Sequence, residues 1–330
     1  MSGMMRRRAM LGLLAIGVIP MPLTARGQPP AKIVRIGFLG AESAQQTQSD
    51  LNLLRAGLRE MGYVEGTGLA FEVRAANGEY GRLPSLAKEL AGRSIDVMVT
   101  SGSKAGIAAK EATAIVPIVV SNMGDAVQAG FSGSFAKPGS NVTGVSMMNP
   151  EVTVKQLELL REVKPGIVRV AVLMNPANPN YALTFAALRR AAEGFKVHVE
   201  RFDAQRVGEL EPAMRAAASG GFTAMIVQSE TLFSAQSALL ANLATKHRIA
   251  AAGVGSFARA GGLIGYSASS RERWRHVATY VDRIVKGTKP AELPIEQPTK
   301  FELVINTRTA RALGLAIPQS VLLRADEVLG

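Results

Sequence analysis

The stretch Gly166-Ile167-Val168-Arg169-Val170-Ala171-Val172-Leu173-Met174-Asn175-Pro176-Ala177-Asn178 decides how this chain folds. Val168–Met174 is a short apolar run rich in valine, which reads as a strand buried on both faces. It runs straight into the polar turn Asn175-Pro176, and Asn178-Pro179 then opens a helix, because proline tolerates the first helical turn. Strands of the same build stand in the first half, at 33–39, 95–100 and 118–120, and each also feeds a polar loop. Helical spacing separates them, as in Leu51, Leu54, Leu58 and Met61 behind a cap at Ser49.

The alternation continues past this strand. Strands are expected at 196–202, 223–227, 249–251 and 302–305, and helices at 208–218, 233–246, 270–286 and 307–313. A chain that alternates in this way builds parallel sheets covered on both faces. At 330 residues it is long enough for two such layers. An apolar fraction of 47% suffices for two cores.

The formal charge is +12. Arg6, Arg7, Arg8 and Arg26 precede an expected cleavage before Gln28, and removing those four leaves +8. The remaining cations are scattered and carry no basic stripe with interleaved aromatics, so nucleic acid is not an expected partner. There is no cysteine, which excludes disulfides, thiolate metal sites and thiol nucleophiles. Arg6-Arg7-Arg8, the apolar run Ala9–Ile19 and the small residues at 24–27 have the order of an export signal. The apolar run is too short to span a membrane. Consecutive arginines resemble a twin-arginine leader, with Met5 where that leader usually has a polar residue.

In open α/β sheets, ligands bind beyond the carboxyl ends of the strands. That rule selects Ser43, Ser101, Ser103, Asp125, Asn175, Glu230 and Tyr266 as candidate binding residues. Ser101 and Ser103 precede a helix start and can hold a carboxylate with its free N–H groups. Asp125 can pair with an ammonium group. Each has a purely structural alternative: Ser101 and Ser103 as caps, Asp125 bonded to its own loop, Asn175 fixing its turn. Glu230 can equally be a solvated helix-start charge, and Tyr266 a core residue. Catalytic motifs are weak. Ser101-Gly102-Ser103-Lys104 matches S-x-x-K without its usual partner motifs. The sequence has no P-loop, no G-x-S-x-G elbow and no dinucleotide fingerprint, and His198, His247 and His276 lack metal spacing. No cofactor and no metal are expected.

Several longer stretches carry a family resemblance. They are Leu54–Gly66, Gly81–Pro84, Lys137–Gly144, Arg169–Pro176, Ala260–Leu263, Tyr280–Gly287 and Gln297–Asn306. The chain resembles the ABC-transporter substrate-binding family typified by tryptophan-type binding proteins, over nearly all of residues 33–328. The resemblance implies an α/β fold of two Rossmann-like lobes with parallel sheets joined by a three-crossing hinge, the type I periplasmic binding protein fold. It implies a signal peptide at 1–27, lobe 1 at 31–146 with 267–290, and lobe 2 at 147–266 with 291–330. It further implies a monomeric periplasmic receptor that closes on an amino acid or small carboxylate and delivers it to an ABC permease. The chain departs from the family pattern at Ala126, Met174 and Gly265-Tyr266-Ser267, all beside the expected cleft. A sensory receptor on the same fold remains an alternative, as does an extracytoplasmic hydrolase using Ser103 and Lys104.

Overall fold

The computed structural model describes residues 33–127, 129–178 and 180–330, and the expected leader at 1–27 lies outside them. The first lobe opens with β1 (Val34–Gly40), α1 (Ala44–Glu60), β2 (Leu69–Ala75) and α2 (Leu83–Ala91). It continues with β3 (Val97–Ser101), α3 (Ser103–Ala112), β4 (Ile118–Met123) and β5 (Val142–Ser146). These strands form a parallel sheet of order β2-β1-β3-β4-β5.

The chain then enters the second lobe with α4 (Asn149–Val163), β6 (Arg169–Met174), α5 (Tyr181–Gly194), β7 (His198–Asp203) and α6 (Val207–Ser219). Next come β8 (Ala224–Val227), α7 (Thr231–Ala235), α8 (Ser237–Lys246), β9 (Ala250–Gly253), α9 (Gly255–Arg259) and β10 (Ile264–Ala268). After α10 (Ser270–Val285) the chain finishes with β11 (Phe301–Asn306), α11 (Thr307–Ala312), α12 (Gln319–Leu322) and β12 (Glu327–Leu329). The second sheet has the order β12-β11-β10-β9-β8-β6-β7. Both sheets are covered on each face, so β3, β5, β8 and β9 are buried at every residue.

Three details differ from the sequence expectations. Helix α1 is capped by Ser43, whose Oγ accepts the Gln46 N–H at 3.2 Å, while Ser49 donates its hydroxyl to Gln45 O inside the helix. The helix expected over 233–246 is broken at Gln236 into α7 and α8. One pairing is antiparallel: β11 runs against β10, with Ala268 opposite Phe301 and Ile264 opposite Ile305. The chain returns from the first lobe next to the carboxyl end of β10, so it has to enter the sheet in the opposite sense.

Helix α10 follows β10 in sequence but packs on the first lobe. Its Trp274 is fully buried and stacks on Phe38 of β1, with ring centroids 5.6 Å apart. Gly57 of α1 lets the two helices approach, since a Cβ there would lie 2.9 Å from Ala278 Cβ. Tyr63 donates to Asp282 Oδ1 at 2.9 Å, and Tyr280 donates to the Pro294 carbonyl at 2.6 Å. Leu51, Leu54 and Leu58 are buried beneath this seam, each contributing about 2 kcal/mol of burial.

Candidate functional site

Each sheet has one point where the winding reverses. In the first it lies between β1 and β3, and in the second between β6 and β8. The crevice beyond such a point is where open α/β sheets bind ligands. The loops there begin with Ala41-Glu42 and Gly102-Ser103 on one side, and with Asn175 and Gln228-Ser229-Glu230 on the other. The second pair of loops is tied by Gln228, whose Oε1 accepts the Asn175 N–H at 3.1 Å.

At the first reversal point two carboxyl groups are buried together. Glu42 is 5% exposed and Asp50, on the inner face of α1, is 4% exposed. The Ser101 hydroxyl lies 2.9 Å from Glu42 Oε1 and 3.2 Å from Asp50 Oδ2. It has a single proton to share between them. Asp50 Oδ1 also accepts from Trp274 Nε1 at 3.2 Å and from Gln46 Nε2 at 3.1 Å. Glu42 Oε2 is buried without a hydrogen-bond partner. Burial, followed by the neighbouring Asp50 charge, pushes the Glu42 carboxyl up to about 8. Burial also raises Asp50, against the opposing pull of Arg273 on α10.

These groups form one wall of a chamber of about 110 Å³ between the lobes. The second lobe supplies the facing wall, including Ser229, Ser256, Ser267 and Arg259. Arg259 is already paired, at 2.8 Å to Glu327 and 3.2 Å to Glu302. No aromatic side chain lines this chamber. A smaller polar chamber of about 30 Å³ adjoins it through the shared walls Asn122 and Ser229. Ser103, Lys104, Asn178, Asn180 and Glu230 line that second space.

The lobes touch around these chambers. Tyr80 donates to Glu230 Oε1 at 2.5 Å, and the Leu232 N–H donates to Glu230 Oε2 at 2.5 Å. Burial raises the Glu230 carboxyl, and burial with the Glu230 charge raises the Tyr80 phenol. The Asp125 N–H donates to Asn180 Oδ1 at 2.9 Å. Gly124 makes that approach feasible, because a Cβ there would lie 1.7 Å from Asn180 Nδ2.

The candidates from sequence fall into three groups. Ser101 lines the larger chamber, and Ser103 and Glu230 line the smaller one. Ser43 caps α1 and lines a wider cavity of about 660 Å³ on the far side of the Tyr80–Glu230 contact. Asp125 and Asn175 stand beside the chambers without lining them. The Asp125 carboxylate accepts the Val127 N–H at 3.0 Å, and Asn175 Oδ1 accepts the Ala177 N–H at 2.9 Å. Tyr266 is not brought to the cleft. It points to the other face of the second sheet and stacks on Phe301 at 5.7 Å, while its neighbour Ser267 takes the chamber position. Strand alternation fixes that choice.

Sequence reasoning passed over Glu42, Asp50 and Arg273. Two of them carried a signal. Glu42 stands two residues past the end of β1, and Asp50 interrupts an apolar stripe four residues before Leu54. Arg273 carried none, because α10 reaches the first lobe only through tertiary packing. Ser103, the nucleophile of the hydrolase alternative, uses its Oγ to accept the Gly124 N–H at 2.9 Å. Among the described residues no group of three or more His, Cys, Asp or Glu could hold a metal ion. No described helix is long and apolar enough to cross a membrane.

Comparison with known proteins agrees with this architecture. A tyrosine-binding protein of Clostridioides difficile is 21% identical over 260 residues, which is 78% of this chain and 74% of that one. The solved structure of an ABC domain from Streptococcus pneumonia in complex with L-Trp superposes with a TM-score of 0.84 at 23% identity. It covers 90% of this chain and 100% of its own. A conserved domain protein from Vibrio cholerae superposes with a TM-score of 0.85 at 24% identity, over the same shares. These neighbours have the type I periplasmic binding protein fold. The matching family is one of substrate-binding proteins, not of enzymes. The profile described as ABC transporter substrate binding protein matches residues 43–329, and the chain belongs to that family.

Proposed function

We propose that the protein is the periplasmic solute receptor of an ABC importer, taking an amino acid or small carboxylate between its lobes by hinge closure. The observation that carries this reading is the pair of polar chambers between the lobes, beside the winding reversals. A ligand touching both walls favours the closed form over the open one, and a permease can read that difference.

On this reading residues 31–146 with 267–290 move as one lobe and 147–266 with 291–330 as the other. Ser101, Ser103 and Glu230 reach the ligand space, and Ser43, Asp125 and Asn175 frame it. Residues 1–27 direct export, by the twin-arginine route, and the mature protein works as a monomer beside its permease.

The test is titration calorimetry of ligand-stripped protein against amino acids, small carboxylates and polyols, with small-angle scattering on each binder. Binding with a fall in the radius of gyration is expected. No binding across the panel, or binding without compaction, rejects the receptor reading. Loss of import in a permease deletion strain tests the partner.

A further inference from the structure

One relative named above is a tyrosine-binding protein and another was solved in complex with L-Trp, yet the larger chamber has no aromatic lining and is small. At about 30 Å³ per water, 110 Å³ holds roughly four waters. That space suits a small side chain better than an indole or phenol. What the chamber offers instead is two buried polar atoms without partners, Glu42 Oε2 and Arg273 Nε. One accepts and one donates. Asp50 stands beside Glu42 on the same Ser101 hydroxyl, so a second acceptor is already aimed at the same spot.

Resting on the receptor reading, we propose that the ligand is a small non-aromatic zwitterion, its ammonium group held by Glu42 and Asp50 and its carboxylate by Arg273. Serine hydroxyls from Ser229, Ser256 and Ser267 surround the remaining space, which suits a short polar or methyl side chain.

Proton linkage gives this assignment a signature. The groups facing Glu42 are Asp50 on α1 and Arg273 on α10, with Arg259 and Glu302 across the chamber. Arg259 is shared by Glu302 and Glu327 and has no charge to spare for the pair. Two carboxyl groups then face the Arg273 guanidinium, and with Glu42 pushed up to about 8 the empty pair retains a proton at neutral pH. An arriving ammonium replaces it. Glu42 loses its proton to solvent and the ligand keeps its own, so Glu42 and Asp50 both face the ammonium while the ligand carboxylate faces the Arg273 guanidinium.

The experiment is calorimetry at pH 7 in two buffers of different ionisation enthalpy. The probes are L-serine, L-alanine, glycerate, lactate, L-tryptophan and myo-inositol. L-serine or L-alanine is expected to bind at least 100-fold more tightly than glycerate or lactate, which keep the carboxylate and replace the ammonium with a hydroxyl. Close to one proton should be released per ligand, and Glu42→Gln should abolish that release and weaken binding about 100-fold. Equal binding of lactate and alanine, binding without proton release, or preference for L-tryptophan overturns the proposal. Binding of tryptophan or inositol with compaction leaves the receptor reading standing, whereas silence across the whole panel removes both. Should Glu42→Gln fail to fold, the wild-type comparisons still decide.

Discussion

The Tyr80 hydroxyl donates to Glu230 Oε1 at 2.5 Å, joining two residues 150 positions apart that belong to opposite lobes. The acceptor is almost fully buried, so the bond forms away from competing water. It exists only while the lobes are together. Tyr80→Phe therefore removes a contact specific to the closed form. A hydrogen bond to a buried carboxylate contributes about 1.5 kcal/mol or more, so the ligand dissociation constant should rise about tenfold. The radius of gyration of the ligand-free protein should increase as well. Unchanged affinity together with an unchanged radius contradicts this role for Tyr80.

Gly124 is the narrowest point of the approach. Alanine there puts a carbon onto Asn180, whose Oδ1 already holds the Asp125 N–H. Gly124→Ala should leave the thermal stability of the open protein within about 1 kcal/mol of wild type, while ligand-induced compaction disappears. Pairing it with Asn180→Ala should restore part of the closure, because the obstacle is that one side chain. A double variant no better than the single one assigns the defect to the backbone.

Stability should fall as pH rises. Glu42 ionises near 4.5 when exposed and near 8 in the fold. Between those values the native state binds more protons than the unfolded one, so unfolding free energy declines with pH through that window. The decline is about 2–5 kcal/mol for a group held this firmly neutral. It is complete below about pH 4.5 as a gain and exhausted above about pH 8. Asp50 and Glu230 are raised by burial and add in the same direction. Urea titrations of ligand-free protein at pH 5, 6.5 and 8 measure the slope, and Glu42→Gln should flatten most of it. A slope that survives unaltered in Glu42→Gln belongs to another group.

Trp274 links the carboxyl pair to the core. Trp274→Phe keeps the ring stack on Phe38 but removes the indole N–H from Asp50 Oδ1. The loss of that bond and of part of the ring volume should cost about 2–4 kcal/mol. It should also shift the midpoint of the pH-dependent decline upward, since one donor that favours ionised Asp50 is gone. Chemical denaturation at two pH values separates the packing loss from the titration shift.

The layers were legible because strands buried on both faces leave short unbroken apolar runs, as in Val168–Met174. The site was legible only where the backbone delivers it. Ser101 ends β3, Ser103 opens α3 and Glu230 caps α7, all at the carboxyl side of the sheets, where the carboxyl-end rule looks. It misplaced Tyr266, since alternation along β10 sends Tyr266 and Ser267 to opposite faces and the sequence alone does not say which face meets the cleft. The cap of α1 was misread for a similar reason: Ser43 and Ser49 both suit the position, and the start of the helix was set by where β1 ends. Arg273 and the antiparallel β11 depend on the path of the chain between lobes, which no local pattern encodes.

That path also sets the order in which the protein can be assembled. The first lobe stays incomplete until α10 exists, because Trp274 and its neighbours cover the apolar face of α1. Every strand through β10 must be synthesised beforehand. A growing chain thus carries an open seam along Leu51, Leu54 and Leu58 while the second lobe emerges, a surface that a holding chaperone would recognise. Chains interrupted before Ser270 would end as aggregation-prone halves, and the late helix acts as the final stitch that commits both lobes to the native state.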